Sequence, residues 1–143
     1  MDYIALLIIW NVLGLMLLKQ VESVVLFVSN IEEAAAWYAD LFKAKVHHEN
    51  AQYAFIKTAA CLIGFHPIDH KCSGGPGGTC TYWEVADLDI AISSLQRKGA
   101  ALYRGPITTT LGARAAMMVD PFGCTLGLNQ STQQSLRAIN DLI

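Results

Sequence analysis

The chain has 143 residues, 53 % of them hydrophobic and only 15 % charged, with a net charge of −2. That is one domain's worth of chain, and with no basic run and no aromatic-interleaved Lys/Arg stripe it speaks against a nucleic-acid partner. The four cysteines (Cys61, Cys72, Cys80, Cys124) come without a secretory leader and read as free thiols in a reducing, cytoplasmic compartment.

Residues 1–18 form an apolar extension. Tyr3–Leu18 is broken only by Asn11 and Gly14, short of the roughly 20 residues that span a bilayer. Only Asp2 precedes it, so the basic start of a signal peptide is missing. A helix apolar on all sides must be buried, which places it against a sheet or in a subunit interface rather than in a membrane. Val21–Val28 then alternates as a strand, and Asn30 with Glu33 makes a capping box for a helix carrying Ile31, Ala34, Ala35, Tyr38, Leu41 and Phe42. Three strand-like runs follow at Lys45–Glu49, Gln52–Thr58 and Cys61–His66, closing a unit over 19–66. Residues 67–78 contain Ser73-Gly-Gly-Pro-Gly-Gly78, which holds neither helix nor strand and reads as a linker.

The plan then repeats over 79–130. Thr79–Val85 is a strand, and Asp87 caps a helix through Leu88, Ile92 and Leu95 that Gly99 stops. Strands at Ala101–Tyr103, Ala113–Val119 and Cys124–Leu128 follow, the last two joined by Asp120-Pro121-Phe122-Gly123. Residues 131–143 form an amphipathic tail with Leu136, Ile139 and Ile143 behind Ser131 or Thr132 as cap. Two pairs of segments mark a duplication: Val28-Ser29-Asn30 with Val85-Ala86-Asp87, and Cys61-Leu-Ile-Gly-Phe-His66 with Cys124-Thr-Leu-Gly-Leu-Asn129. The fold class expected is therefore α+β: two tandem βαβββ modules whose curled mixed sheets surround a cleft, with an added helix at each end.

Two such units, Val-x-Asn/Asp opening each helix and the turn Asp120-Pro-Phe-Gly123 before the final strand resemble the vicinal-oxygen-chelate superfamily over roughly Lys19–Gln130. That group includes glyoxalase I, extradiol dioxygenases, fosfomycin-resistance enzymes and the metal-free bleomycin-binding proteins. The resemblance implies where a metal would be held: in the first strand and within the last strand of each module. Those positions carry Ser23, Cys80, Gly64 and Gly127. Glycine has no donor and serine is a poor one, whereas divalent catalytic sites generally need three or more His, Asp, Glu or Cys. The expectation is a chain without the family's metal and without any cofactor.

Alternation assigns the cleft. Ser23, Val25 and Phe27 share a face with Leu62, Gly64 and His66; Cys80, Tyr82 and Glu84 share one with Thr125, Gly127 and Asn129. The two glycines, lacking side chains, would leave room at its floor. The opposite faces (Val24, Leu26, Val28; Trp83, Val85; Ile63, Phe65; Leu126, Leu128) are apolar and are expected against the helices. Candidate ligand contacts are Ser23, Val25, Phe27, His66, Cys80, Tyr82, Glu84, Arg114 and Asn129. Glu84 is either a pocket acid or a solvated strand end, His66 borders a loop, and Arg114 either reaches the cleft mouth or lies on the surface. Trp37 and Tyr38 sit at core spacing. The cluster His66, Asp69, His70, Cys72 and Cys80 does not match a tetrahedral zinc spacing, and the glycine-rich run lacks a phosphate loop's Gly-Lys-Ser/Thr ending.

Three classes of function remain. The first is metal-free binding of an amphipathic or aromatic small molecule such as an antibiotic, which the resemblance to the bleomycin-binding branch implies. The second is an enzyme of the same superfamily using Glu84, His66 or Tyr82 as acid/base groups, or an unrecognised metal site. The third is a non-catalytic interaction module. A homodimer is expected, since the resemblance implies one and residues 3–18 call for cover.

Overall fold

The computed structural model describes residues 2–12 and 17–142. Two four-stranded mixed sheets, each with one long helix on a face, follow one another along the chain. In the first module β1 (Ser23–Val28), α2 (Ile31–Phe42), β2 (His47–Asn50), β3 (Tyr53–Lys57) and β4 (Leu62–Pro67) give the strand order β1-β4-β3-β2. In the second, β5 (Tyr82–Glu84), α3 (Leu88–Arg97), β6 (Ala101–Thr108), β7 (Arg114–Val119) and β8 (Thr125–Gln130) give β5-β8-β7-β6. First and last strands of each module run parallel, and the other pairs are antiparallel. The α+β duplication read from the sequence is the fold.

The helices start where their caps put them. Asn30 Oδ1 accepts the Glu33 N–H at 3.0 Å, and Asp87 Oδ1 accepts the Ile90 N–H at 3.0 Å. Each satisfies a donor that has no partner within its helix. From α2, Ala34, Ala35, Tyr38 and Ala39 are buried; from α3, Leu88, Ile92 and Leu95. Against them lie Val28, Ile63, Phe65, Leu126 and Leu128 on the sheet faces assigned as apolar, joined by Ala54, Ile56, Ala116 and Met118 from the inner strands.

One buried polar contact ties the modules together. Tyr38 Oη donates to Asp120 Oδ2 at 2.5 Å, while Asp120 Oδ1 accepts the N–H groups of Phe122 and Cys124 at 2.9 Å. Burial pushes the Asp120 carboxyl above its ordinary value, and these bonds offset only part of that shift. Burial, then the Asp120 charge, pushes the Tyr38 phenol up as well, and the same two causes lift the Cys124 thiol to about 11. Around this contact Trp37 Nε1 donates to Lys98 O at 2.9 Å, and the Phe42 and Trp83 rings meet at 4.9 Å.

Several elements differ from the expectation. β5 is three residues long and leaves Cys80 outside it, whereas β6 runs on through Gly105 and Pro106 to Thr108. An outer edge strand tolerates proline, whose missing N–H would have no partner there. The apolar helix α1 (Tyr3–Val12) begins with the Asp2 carboxylate accepting the Ala5 N–H at 2.7 Å. Among its described side chains none joins the core, and Tyr3, Ile4, Ile8 and Ile9 are exposed, so the expected packing of this helix on a sheet is not seen there. Residues 13–16 of the expected helix lie outside the described residues, as does Ile143 of the C-terminal tail. In that tail α4 (Gln133–Asn140) is capped by Thr132, and it buries Ser135 while Leu136 and Ile139 stay half exposed.

Candidate functional site

The face of each sheet turned away from its helix carries one row of residues across all four strands. In the first module the row is Val25–Gly64–Phe55–His47; in the second it is Tyr82–Gly127–Met117–Arg104. Both glycines named from the sequence therefore hold corresponding places in mid-sheet.

Neither glycine leaves an open floor. A Cβ built on Gly64 would lie 1.8 Å from Tyr53 Oη, and one on Gly127 would lie 2.5 Å from Tyr82 Cγ. A tyrosine leans over each, covering the bare backbone as aromatic residues do beside glycines in sheets. The expected vacancy is filled by the chain's own rings. Tyr53 comes from β3, whose alternation (Tyr53, Phe55, Lys57 against buried Ala54 and Ile56) already sorts it onto this face. Extending the parity argument from the first and last strands to the middle ones would have found it.

The same observation tests whether the residues fit a metal. Where the resemblance puts carboxylates, this chain has glycine overlaid by tyrosine; Ser23 is half-buried opposite Leu62, and Cys80 precedes β5 with its thiol directed at Thr81 O, 3.8 Å away. Among the described residues no three His, Cys, Asp or Glu side chains gather as metal donors. The His66–Cys72 segment is also spoken for, because Asp69 Oδ1 accepts the N–H groups of Lys71 and Cys72. These residues do not fit the family's metal centre.

The nine candidate contacts fall into separate groups. The Phe27 and His66 rings meet at a tilt with centroids 5.1 Å apart, and Tyr53 lies edge-on 6.5 Å from the same imidazole. His66 Nδ1 lies 2.7 Å from Pro67 O; a carbonyl only accepts, so Nδ1 is the donor in this contact. Val25 and Phe27 line a cavity of about 270 Å³ between β1, the glycine-rich linker and Thr125. Glu84 and Asn129 meet directly. Glu84 Oε1 accepts from Asn129 Nδ2 at 2.8 Å and from the Ser131 hydroxyl at 2.9 Å, and Oε2 accepts the Ser131 N–H at 2.8 Å. Partial burial pushes this carboxyl up, but the three bonds outweigh it and hold the group below the usual carboxylate range. Glu84 is thus a clamped anion at the end of β5.

Arg114 needs a correction. It pairs with Gln130, one residue past Asn129, so it has the parity of buried Ala116 and Met118 and faces the helix. Its guanidinium holds Asp89 of α3 at 3.1 and 3.3 Å, away from the cleft mouth.

Another opening, one of several on the described surface, is a trough of about 410 Å³ on the second sheet, walled by Tyr82, Ile107, Ala115 and Met117 and ending at Arg104. Arg104 has no counterpart among the residues picked from the sequence. Regular alternation from Leu102, which sits opposite buried Met118, would turn Arg104 toward the helix. A register shift between Leu102 and Arg104 puts it opposite Met117 instead, and a second shift follows before Ile107. Bulges re-aim side chains in this way, and no sequence pattern announces them.

The glyoxalase/bleomycin resistance protein/dioxygenase superfamily model matches residues 20–128. The chain belongs to this superfamily. An uncharacterized protein of Mycolicibacterium smegmatis is 26 % identical over 99 residues, 68 % of this chain and 83 % of that protein. Among solved structures, a superfamily member from Sphaerobacter thermophilus gives a TM-score of 0.64 at 20 % identity, covering 81 % of this chain and 100 % of its own. A protein from Agrobacterium tumefaciens gives 0.68 at 16 % identity, covering 80 % and 99 %. At such identities these structures support the superfamily's fold and no particular chemistry.

Proposed function

We propose that this superfamily member is a metal-independent binding protein for an amphipathic or aromatic small molecule, which it holds on the helix-free face of its second sheet. The observation that carries this reading is the pair of tyrosine-covered glycines at the places of the family's carboxylates, beside a trough lined by an aromatic ring and small apolar side chains. Such a mixture of apolar wall and few polar groups is what small-molecule pockets have. The clamped Glu84 supports binding over acid/base chemistry, because a carboxylate stabilised as the anion by three hydrogen bonds is a weak base.

The test is a thermal-shift screen of aromatic acids, aromatic cations and antibiotics against purified protein, run with and without chelator, beside elemental analysis. The expected result is a ligand-dependent rise in Tm that chelator leaves unchanged. Stoichiometric metal, or stabilisation that chelator abolishes, would overturn the reading.

A further inference from the structure

The row Tyr82–Gly127–Met117–Arg104 spans four neighbouring strands. At the usual strand spacing of about 4.8 Å its ends are about 14 Å apart along the sheet. Tyr82 stands at one end with its ring over Gly127, and Arg104 stands at the other. Between them the floor is apolar, formed by Met117 and Ala115, with Ile107 at its side.

The charges on this face are unequal in availability. Its carboxylate, Glu84, is held by Asn129 and Ser131. The ion pairs among the described residues engage Lys43, Lys98, His48 and Arg114, and leave Arg104 without a partner. The register shift between Leu102 and Arg104 puts Arg104 on this face, and backbone geometry fixes the second shift that follows it. Gly105 has φ +84, and a Cβ there would lie 2.9 Å from Ala115 O. A guanidinium presents a planar fork of donors that matches a carboxylate.

We infer that the second-module trough is a binding site for an aromatic monocarboxylate. Arg104 receives the carboxylate, and the Tyr82 ring with Met117 and Ile107 covers the apolar body. A single cation matches a single negative charge, and a doubly charged phosphate would leave one charge uncompensated beside an apolar floor. This inference rests on the binding function proposed above, and it names the ligand class and the residue that selects it.

The experiment is calorimetric titration of the full chain with 1-naphthoate, 1-naphthamide, 1-naphthyl phosphate and an N-alkylated quinolinium cation, at low and high salt. Naphthoate should bind more tightly than the isosteric amide by about fivefold or more, and only its affinity should fall with salt. Arg104→Gln should remove that preference while leaving amide binding and the unliganded Tm unchanged, because Arg104 is exposed and unpaired. Tyr82→Ala should weaken acid and amide alike. Equal binding of acid and amide, tighter binding of the phosphate or the cation, or an unaltered preference in Arg104→Gln would overturn the carboxylate site while leaving a small-molecule protein of another specificity. Absence of binding by every probe here, and by every class in the thermal-shift screen, would overturn both.

Discussion

The two modules share a strand order, a helix cap and a mid-sheet glycine, yet they finish the glycine's surroundings differently. In the first, the row Val25–Gly64–Phe55–His47 is overlaid by Tyr53 and flanked by Phe27 and His66, and His47 stacks on Phe55 with centroids 5.3 Å apart. Aromatic rings cover most of that floor. In the second, Tyr82 covers Gly127, but the inner strand contributes Ala115 and Met117, and an open trough remains. The difference teaches that a duplicated scaffold can keep its backbone symmetry while the side chains on its two helix-free sheet faces diverge. Tyr53 and Phe55 on β3 cover a stretch of sheet whose counterpart, with Ala115 and Met117 on β7, stays accessible.

The comparison requires that both halves sit in one frame, and the buried Tyr38–Asp120 contact is where that can be broken most strongly. Tyr38→Phe removes the donor and leaves a buried carboxylate one hydrogen bond short, a loss of about 1–3 kcal/mol. Asp120 titrates above its ordinary value in the folded chain, so its contribution to stability falls as pH rises from the unfolded carboxyl value through the raised one. Without the tyrosine that rise moves further up. The deficit in Tyr38→Phe should therefore be larger at neutral pH than under acid, as read by denaturant unfolding across that range. A pH-independent deficit would break the assignment.

A second test sharpens the contrast between the two glycines. At Gly64 the obstructing atom is the far end of a side chain, Tyr53 Oη, whereas at Gly127 it is the root of a ring, Tyr82 Cγ. Gly127→Ala must drive Tyr82 from its rotamer and should cost more than Gly64→Ala, about 1–2 kcal/mol against less than about 1. In a Tyr82→Ala background the Gly127→Ala penalty should vanish, and a double-mutant cycle measures this directly.

Smaller effects follow from the clamp and the thiols. Glu84→Gln keeps the shape but removes an anion with lowered pKa, which contributes at neutral pH and is lost as pH falls below the usual carboxylate range. Its cost should be about 0.5–1 kcal/mol, shrinking under acid, with ligand affinity retained. Cys124, buried and raised to about 11, should stay unreactive toward a thiol reagent in the native chain.

Most of the fold was legible because it rests on short-range chemistry. Asn30 and Asp87 announce their helices, and period-two alternation separates Val24, Leu26 and Val28 from Ser23, Val25 and Phe27 without reference to anything distant. The candidate site was legible only in part, because its decisive features depend on register between strands. The tyrosines over Gly64 and Gly127 are cross-strand contacts, and Arg114 points the other way because its partner is Gln130 rather than Asn129. Arg104 was hidden for a related reason: the bulge that turns it has no residue signature of its own. In α1 apolarity specifies that the helix needs cover and not where the cover lies, and Tyr3, Ile4, Ile8 and Ile9 are exposed within the single chain.

The irregular course of β6 also bears on how copies of this chain meet one another. All eight residues of this outer strand are exposed, including Leu102, Tyr103 and Ile107. A straight apolar edge of that length would template the addition of a foreign strand and begin an aggregate. Two breaks in register, a proline with no N–H to offer and a protruding arginine interrupt that ladder. The distortion that aims Arg104 into the trough thus guards the sheet's margin against fibril-like growth, and straightening it would forfeit both.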